Sequence, residues 1–516
     1  MEPRTKLPAA PAALIGVLSV AIALAAGHLL AGFVGTPASP YLAVGSAAID
    51  LSPGWLKEFA ISSFGANDKT VLLSGMAMVL LLIGIVAGLI SRRRAAPGTV
   101  LAALLGVLGF VAVFSRPGLG ELAALAPAAS MLGGVLTFPF LHGLARSRFA
   151  PDAGNAARDT PAAATSRRNF MVGSAGVAVG AGIAGLAGQL LVASRDLTSS
   201  EASIGKLVPV QPAPPIPRGA DFVAQGTPSF ITPARYFYRV DTALTVPHIQ
   251  TRDWQLRVHG MVEREHTYSF SDIRNRPLKS QVITMTCVSN PVGGPYISTA
   301  EFIGIPMKDL LLPCGVHESA DQLFSTSSDG FTAGSPLHDV LDRGMLAIGM
   351  NGQPLPVEHG FPARIVVPGL YGYVSATKWV TDLELTTFDA QAGYWIPRGW
   401  SQRGPIKTES RIDAPHPFAT MPSGKVTVAG IAWAQPTGVA KVEVQVDSGP
   451  WRAAQLATEV SPITWRMWRI TLDLAAGKHT VRCRATDASG HTQTTVTAPP
   501  APNGASGLPS VTVTTT

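Results

Sequence analysis

Five stretches without Asp, Glu, Lys or Arg occupy most of the first two hundred positions: 12–34, 71–90, about 97–114, 122–144 and 170–194. A helix needs about 20 residues at 1.5 Å each to cross a bilayer core, and four of the five reach that length. The third is the shortest. Charged residues make up only 14% of the 516-residue chain and hydrophobic ones 47%, a balance that points to membrane spans. Basic flanks set an orientation. Arg4, Lys6, Arg92, Arg93, Arg94, Arg146, Arg148, Arg158, Arg167 and Arg168 fall on one side, against Lys57, Lys69 and Arg116 on the other. The N-terminus is therefore expected in the cytoplasm. With five spans, everything after Ser194 is expected on the extracytoplasmic side.

The first four spans read as an anchor or docking platform. Their two histidines do not suit a bis-histidine haem: His28 lies roughly 24 Å from the cytoplasmic end of its span, whereas His142 lies close to that end. The fifth span follows Ser166-Arg-Arg-Asn-Phe-Met171, which looks like a twin-arginine export signal. A positive-inside flank is the plainer reading of the same arginines. No small-residue cleavage site stands out after it, so the segment is expected to remain as an anchor. The net charge of +7 calls for no nucleic-acid partner, since much of it sits beside the spans. Cys287, Cys314 and Cys483 form neither a CxxC nor a zinc pattern.

Beyond the spans, prolines at 209, 212, 214, 215 and 217 keep 196–235 extended, as a linker. An α+β domain is expected over 236–415, with strand-like runs at 254–262, 280–288 and 364–367. From 420 to 500 the texture is period-two strands (426–433, 441–446, 465–474, 478–487) with a hairpin turn at Asp447. This pattern predicts an immunoglobulin-like sandwich. A loose tail is expected over 501–516.

One stretch carries chemistry: Val282-Ile-Thr-Met-Thr-Cys287-Val-Ser-Asn-Pro-Val-Gly-Gly294. A strand there runs into a Gly/Pro loop, leaving Cys287 where the chain departs from the sheet. A lone cysteine is ordinarily a small buried hydrophobe. As a thiolate it is a nucleophile or a soft-metal ligand.

Thr-Cys287-Val-Ser-Asn-Pro-Val-Gly-Gly, followed by Phe302-Ile-Gly-Ile-Pro-Met-Lys-Asp-Leu-Leu311, resembles the molybdenum-ligand loop of the sulfite-oxidase family. The resemblance implies Mo-molybdopterin, with Cys287 as the metal ligand. It also implies cofactor contacts from Phe237, Tyr238, Arg239 and Asp241, and from His359 and Arg364 within the family-like run 350–369. Ser375, Ala376, Thr377 and Lys378 match the segment that holds the phosphate end, and Asp329 matches a further loop more loosely. Arg398 and Trp400 fall in the segment where the family carries a catalytic tyrosine, here Trp400, with Arg398, Arg403 and Lys407 at the entrance. A homodimer through the C-terminal domain is implied as well.

Several departures bear on the substrate. Val292 stands where a basic residue is expected, Asp241-Thr242 replace Asn-His, and Arg239 sits one place early. A dianion would meet fewer cations than in a sulfite site. The expectation is a membrane-anchored, outward-facing oxidoreductase that transfers an oxygen atom to or from a small sulfur or nitrogen oxo compound. Sulfoxide or N-oxide reduction competes with sulfite oxidation, and a one-electron carrier or membrane redox partner takes part. The alternative is an inactive molybdenum-fold binding or assembly protein.

Overall fold

The computed structural model describes every residue except 1–5, 54–55, 57–58, 60–62, 65–67, 117–119, 150–160 and 194–203. It divides into two compact units, Met1–Asp196 with Ala243–Pro247, and Leu197–Thr242 with His248–Thr516.

The first unit is helical: α1 (Ala9–Val34), α2 (Pro40–Leu51), α3 (Asp68–Ile90), α4 (Ala96–Phe114), α5 (Leu125–Phe149) and α6 (Pro161–Ala193). Five helices are long and apolar enough to cross a membrane: Ala9–Val34, Lys69–Ile90, Ala96–Phe114, Glu121–Arg146 and Arg168–Leu191. The short third segment is thus a 19-residue helix. Small residues let the backbones meet. A Cβ on Gly16 would come within 1.8 Å of the Gly84 carbonyl oxygen, and one on Gly88 within 1.9 Å of that of Ala12, so α1 and α3 touch directly. The Leu7 amide donates to the Arg92 carbonyl (2.9 Å) and Arg92 Nε to the Leu7 carbonyl (2.6 Å), which ties the start of α1 to the end of α3. Two features depart from expectation. A further helix, α2, follows the first span, and α6 begins ahead of the arginine pair rather than after it. His142 hydrogen-bonds the Ser91 carbonyl at 2.8 Å, while His28 lies against Gly188.

The second unit begins with strands β1 (Gln255–Gly260), β2 (His266–Ser269), β3 (Lys279–Thr286), β4 (Ile297–Pro306), β5 (Gln322–Ser327), β6 (Thr332–Pro336), β7 (Met345–Met350), β8 (Gln353–Pro354), β9 (Arg364–Val366) and β10 (Val380–Thr386). They build two sheets, ordered β2-β1-β10-β5-β6 and β3-β4-β7-β8, with β9 paired to β7. Short helices at Phe270–Arg274, Met307–Leu311, Leu337–Arg343 and Gly372–Ser375 complete an α+β arrangement. Strand β3 is almost wholly buried although five of its eight side chains (Lys279, Ser280, Gln281, Thr284 and Thr286) are polar, as a strand covered on both faces must be.

The segment ahead of β1 is extended, yet it is no free linker. Ile204, Leu207, Ala220, Phe222 and Phe230 lie in the main core, and the Val210 amide bonds the Leu278 carbonyl at 2.8 Å. Proline rules out helix there without preventing burial of the apolar residues between the prolines.

The C-terminal region is β-rich: β11 (Glu409–Ala414), β12 (Thr420–Met421), β13 (Gly424–Trp433), β14 (Val439–Val446), β15 (Arg452–Ala453), β16 (Gln455–Leu456), β17 (Arg466–Leu474), β18 (Gly477–Asp487) and β19 (Ser510–Thr515). Its two sheets, β11-β13-β17-β16 and β12-β19-β18-β14-β15, share a core that includes Val428, Trp468, Val442, Val481 and Val513. Here the expected loose tail is corrected. β19 pairs with β18 over six residue pairs, and Val511, Val513 and Thr515 are buried in alternation. If β19 is integral to the fold, Val513→Ala should cost about 2–3 kcal/mol. Denaturant unfolding of the full chain would measure this, and an unchanged midpoint would restore the loose tail.

Candidate functional site

Cys287 follows the last residue of β3. Its amide donates to the Tyr296 carbonyl (3.0 Å) and its carbonyl accepts from the Asn290 amide (3.1 Å). Asn290 Oδ1 takes the Tyr296 amide at 2.8 Å. A Cβ on Gly294 would strike Asn290 Oδ1 at 2.5 Å, so this tight loop needs glycine there. Arg411 Nη1 donates to the Gly294 carbonyl at 3.1 Å. The outer edge of β3 is covered rather than open. The Thr284 amide donates to the Ile463 carbonyl (3.2 Å), Gln435 Nε2 to the Thr284 carbonyl (3.2 Å), and the Trp465 amide to Thr284 Oγ1 (2.7 Å). Cys287 is buried and free of any disulfide. Burial raises its thiol pKa, while hydrogen bonding from Ser289 opposes the rise.

Around it the structure gathers most of the expected cofactor residues. Phe237 stacks on Tyr238 (5.5 Å between centroids) and meets Phe302 and His359 edge-on (6.1 and 5.4 Å). The buried Tyr238 hydroxyl has its pKa raised first by desolvation, then by Cys287, with Arg364 acting against both. It therefore lies within electrostatic reach of the thiol and of the guanidinium. Gly360, at φ +111°, brings His359 and Arg364 close to Lys378. His359 Nε2 bonds the Ala234 carbonyl at 2.9 Å, and burial lowers the imidazole pKa to about 4. The ring is neutral at pH 7, and with Nε2–H donating, Nδ1 is left as an acceptor.

Arg364 is the most constrained charge. Burial lowers its pKa to about 10. Its partners are carbonyls: His359 O at 3.1 Å, Ala376 O at 3.4 Å and Ile365 O at 3.5 Å. Among the described residues no carboxylate comes within ion-pair distance of it. A buried guanidinium so placed is suited to an anion. Buried polar atoms without a partner among the described residues lie on both sides of Cys287, at Thr286 Oγ1 and Asn290 Nδ2, and again at Ser328 Oγ beside Asp329. Sequence reasoning quoted these residues within the Cys287 stretch and the 328–330 loop without giving their side chains a role. Together with Cys287 they fit a polar body with an anionic end and a thiol-seeking metal.

Other expected contacts are used differently. Asp241 pairs with both Arg239 Nε (2.8 Å) and Lys378 Nζ (2.6 Å). Lys378 also donates to the Glu358 carbonyl at 3.1 Å, and burial holds its pKa at about 8 against the pull of Asp241. The Ser375 hydroxyl donates to the Leu370 and Tyr371 carbonyls at 3.0 Å, and that of Thr377 meets Ser325 Oγ at 2.7 Å. The Ser375 and Thr377 hydroxyls thus serve the fold, and the Ala376 amide donates to the Gly372 carbonyl at 3.0 Å. Asp329 is half-buried, and desolvation raises its pKa. Arg398 lies over the Tyr394 ring at 3.7 Å and donates to the Tyr394 carbonyl at 2.5 Å, while Trp400 packs against Tyr373 and Trp395.

The region once expected to be a tail closes over this side. The Ser401 amide donates to the Pro502 carbonyl (2.9 Å), Lys407 Nζ to the Gly504 carbonyl (2.6 Å), and a Cβ on Gly504 would meet the Tyr371 hydroxyl at 2.6 Å. Glu409, which no local pattern marks, is buried beneath Tyr371. Its Oε1 lacks a partner among the described residues, and desolvation raises its pKa to about 8, opposed by Lys407. Because its folded pKa lies above the unfolded value near 4.5, the native state holds the extra proton, and stability falls as pH rises from there through about 8. Glu409→Gln is expected to flatten that fall. Melting temperatures of parent and variant at pH 5 and pH 8 would check it, and parallel shifts at both would count against a protonated Glu409.

Comparison with known proteins agrees with this arrangement. A family profile described as an oxidoreductase molybdopterin binding domain matches residues 243–395. Sulfite oxidase of Gallus gallus is 28% identical over 321 residues, 52% of this chain and 69% of that protein. Mitochondrial sulfite oxidase of Homo sapiens is 28% identical over 324 residues, covering 53% and 59%. The uncharacterized oxidoreductase YuiH of Bacillus subtilis is 33% identical over 152 residues, covering 29% and 74%. The crystal structure of the sulfane dehydrogenase SoxCD from Paracoccus pantotrophus aligns over 52% of this chain and 75% of that one, at 24% identity and a TM-score of 0.47. Cys287, Arg364 with no carboxylate partner among the described residues, and the unpaired polar atoms at Thr286, Asn290 and Ser328 fit Mo-molybdopterin, the cofactor of this enzyme. The chain belongs to the sulfite-oxidase family of molybdopterin-dependent oxidoreductases.

Proposed function

We propose that this oxidoreductase is held in the cell membrane by its five apolar helices, with the molybdenum domain on the extracytoplasmic side. It would transfer an oxygen atom on a small sulfur or nitrogen oxo compound, with sulfoxide or N-oxide reduction favoured over sulfite oxidation. The observation that carries the substrate preference is the Asp241 carboxylate. It takes up the charges of Arg239 and Lys378 together, and Val292 adds none. An incoming dianion is left with a weaker positive field, whereas a neutral oxo compound loses nothing.

When bound, Mo-molybdopterin supplies the two-electron oxygen-atom exchange; the chain supplies binding, orientation and exclusion of water. Cys287 would ligate as the thiolate, so its proton leaves when the metal enters. Arg364 would face the phosphate end, and neutral His359 would offer Nδ1 to a donor on the pterin edge. Tyr238, its hydroxyl kept protonated by burial, can donate between the two ends. Tyr373 and Trp400 would form an apolar wall at the entrance, consistent with an organic substrate rather than a small dianion. Reduction of an S-oxide consumes two protons and two electrons and releases water, so electrons must come from a second redox partner. The Arg167–Arg168 pair supports export by the twin-arginine route. The two-sheet C-terminal region supports an immunoglobulin-like module and a homodimer contact there.

The purified full chain is expected to carry molybdenum. Cys287→Ser should remove activity, and Arg364→Met should lower cofactor retention about tenfold or more while the protein stays folded. Metal analysis and sulfoxide turnover with an artificial electron donor would check both, and a molybdenum-free folded parent would overturn the reading. Asp241→Asn should release Lys378 and Arg239, lowering the KM for sulfite several-fold, about 1 kcal/mol. Brisk sulfite oxidation by the parent would reverse the stated preference.

A further inference from the structure

Within the helical unit, α1 to α5 enclose a cleft of about 540 Å³, in the size range of small-molecule sites. Along α1 its wall runs from Gly16 to Gly27, roughly 16 Å at 1.5 Å per residue. Its lining is almost entirely apolar and contains no Asp, Glu, Lys, Arg or His. Glycine supplies much of the surface. A Cβ built on Gly75 meets no heavy atom within 4 Å, and one on Gly134 makes only ordinary contacts, 3.5 Å to Ala23 and 3.6 Å to Ala102. Val79 on α3 and Leu108 on α4 line the cleft and are also exposed, so it opens sideways between these helices, where bilayer lipid would be.

The cleft has a polar end. Around Gly27 stand Ser130 and Pro40, 3.0 and 3.4 Å from the position of its Cβ, and with them the hydroxyl-bearing Ser39 and Tyr41. The opposite end is apolar, where the Phe138 ring lies over Gly98. The polar end sits toward the C-terminal ends of α1 and α4, the face on which α6 also ends.

We infer that this cleft binds an isoprenoid quinone, its two ring carbonyls at Ser39 and Ser130 and its tail along the glycine-lined wall; the Tyr41 hydroxyl is engaged with the Leu73 carbonyl. The inference rests on the membrane placement proposed above and names a partner of the kind that reading requires. Two features favour a quinone over a phospholipid. The hydroxyls of Ser39 and Ser130 are neutral donors that match carbonyl acceptors. Among the described residues the lining holds no cation to meet a phosphate, and Arg116, which bonds the Ala43 carbonyl at 3.4 Å, is paired with Asp50. An enzyme that moves two electrons at a time must exchange them with a second redox agent, and a quinone is one soluble in the phase into which the cleft opens.

The full chain, purified in mild detergent from a quinone-containing membrane, would be extracted with organic solvent, and quinone and phospholipid quantified per chain. Near-stoichiometric quinone is expected, and added decylubiquinone should bind to stripped protein. Gly134→Val, which narrows the middle of the cleft, should lower retained quinone about tenfold or more, and Ser130→Ala should weaken decylubiquinone binding. If Gly134→Val fails to fold, judged by its gel-filtration profile and molybdenum content, Gly75→Leu fills open space and carries the test. Retained phospholipid without quinone, or quinone unaffected by filling the cleft, would overturn the inference. Quinone retention is read without turnover, so a chain with no molybdenum, or one inert to sulfoxides, would fail the catalytic reading and leave this one standing.

Discussion

A positive charge without a carboxylate is the constraint around which the catalytic unit is built. Taking a guanidinium out of water is costly, and three backbone carbonyls satisfy hydrogen-bond geometry without cancelling charge. Arg364 nevertheless lies at the start of β9, locked by Gly360 and by the chain at His359 and Ala376. Such an arrangement is tolerable when a bound anion completes it. The unmatched polar atoms beside Cys287 and Asp329 are the same incompleteness in neutral form. The protein's shape here is that of a holder, and the enzyme's chemistry depends on what is held.

Asp241 shows how one residue reshapes such a holder. A carboxylate where the family carries an amide draws two cations to itself, keeping Lys378 charged despite burial. The cost of burying the lysine is met locally, by a side chain four residues from Phe237, rather than by substrate. Under the proposed function, selectivity would thus be altered with Cys287 and Arg364 left in place. This accounts for a sequence that follows its family closely through 350–369 and departs from it around 239–242.

What the sequence disclosed follows from how local each signal is. Cys287 and its turn, and His359 with Arg364, are short contiguous patterns whose geometry is set by neighbouring glycines and prolines, so they were legible. The spans were legible because length and apolarity suffice. Three things were not. Glu409 owes its character to burial, which no local pattern announces. The run from 204 to 235 has prolines that forbid helix, which hid the fact that its aromatic residues are buried. In β19, Ser510-Val-Thr-Val-Thr-Thr515 does alternate, but the Pro/Gly-rich approach from 499 to 509 masked a strand whose partners lie some thirty residues earlier. The same holds for the hydroxyls of Ser375 and Thr377, since one that serves the fold looks the same in one dimension as one that serves a ligand.

The covering of β3 has a temporal consequence. The strand that delivers the cysteine is sealed along its outer edge by residues 435, 463 and 465, and the neighbouring Tyr371 is roofed by residues 502–504, all of them made after Cys287. A chain emerging from the ribosome therefore passes through a long interval in which the thiol is already made but its surroundings stand ajar. Sealing of the cysteine's strand waits on residues 435, 463 and 465, and is a late event relative to the making of the thiol.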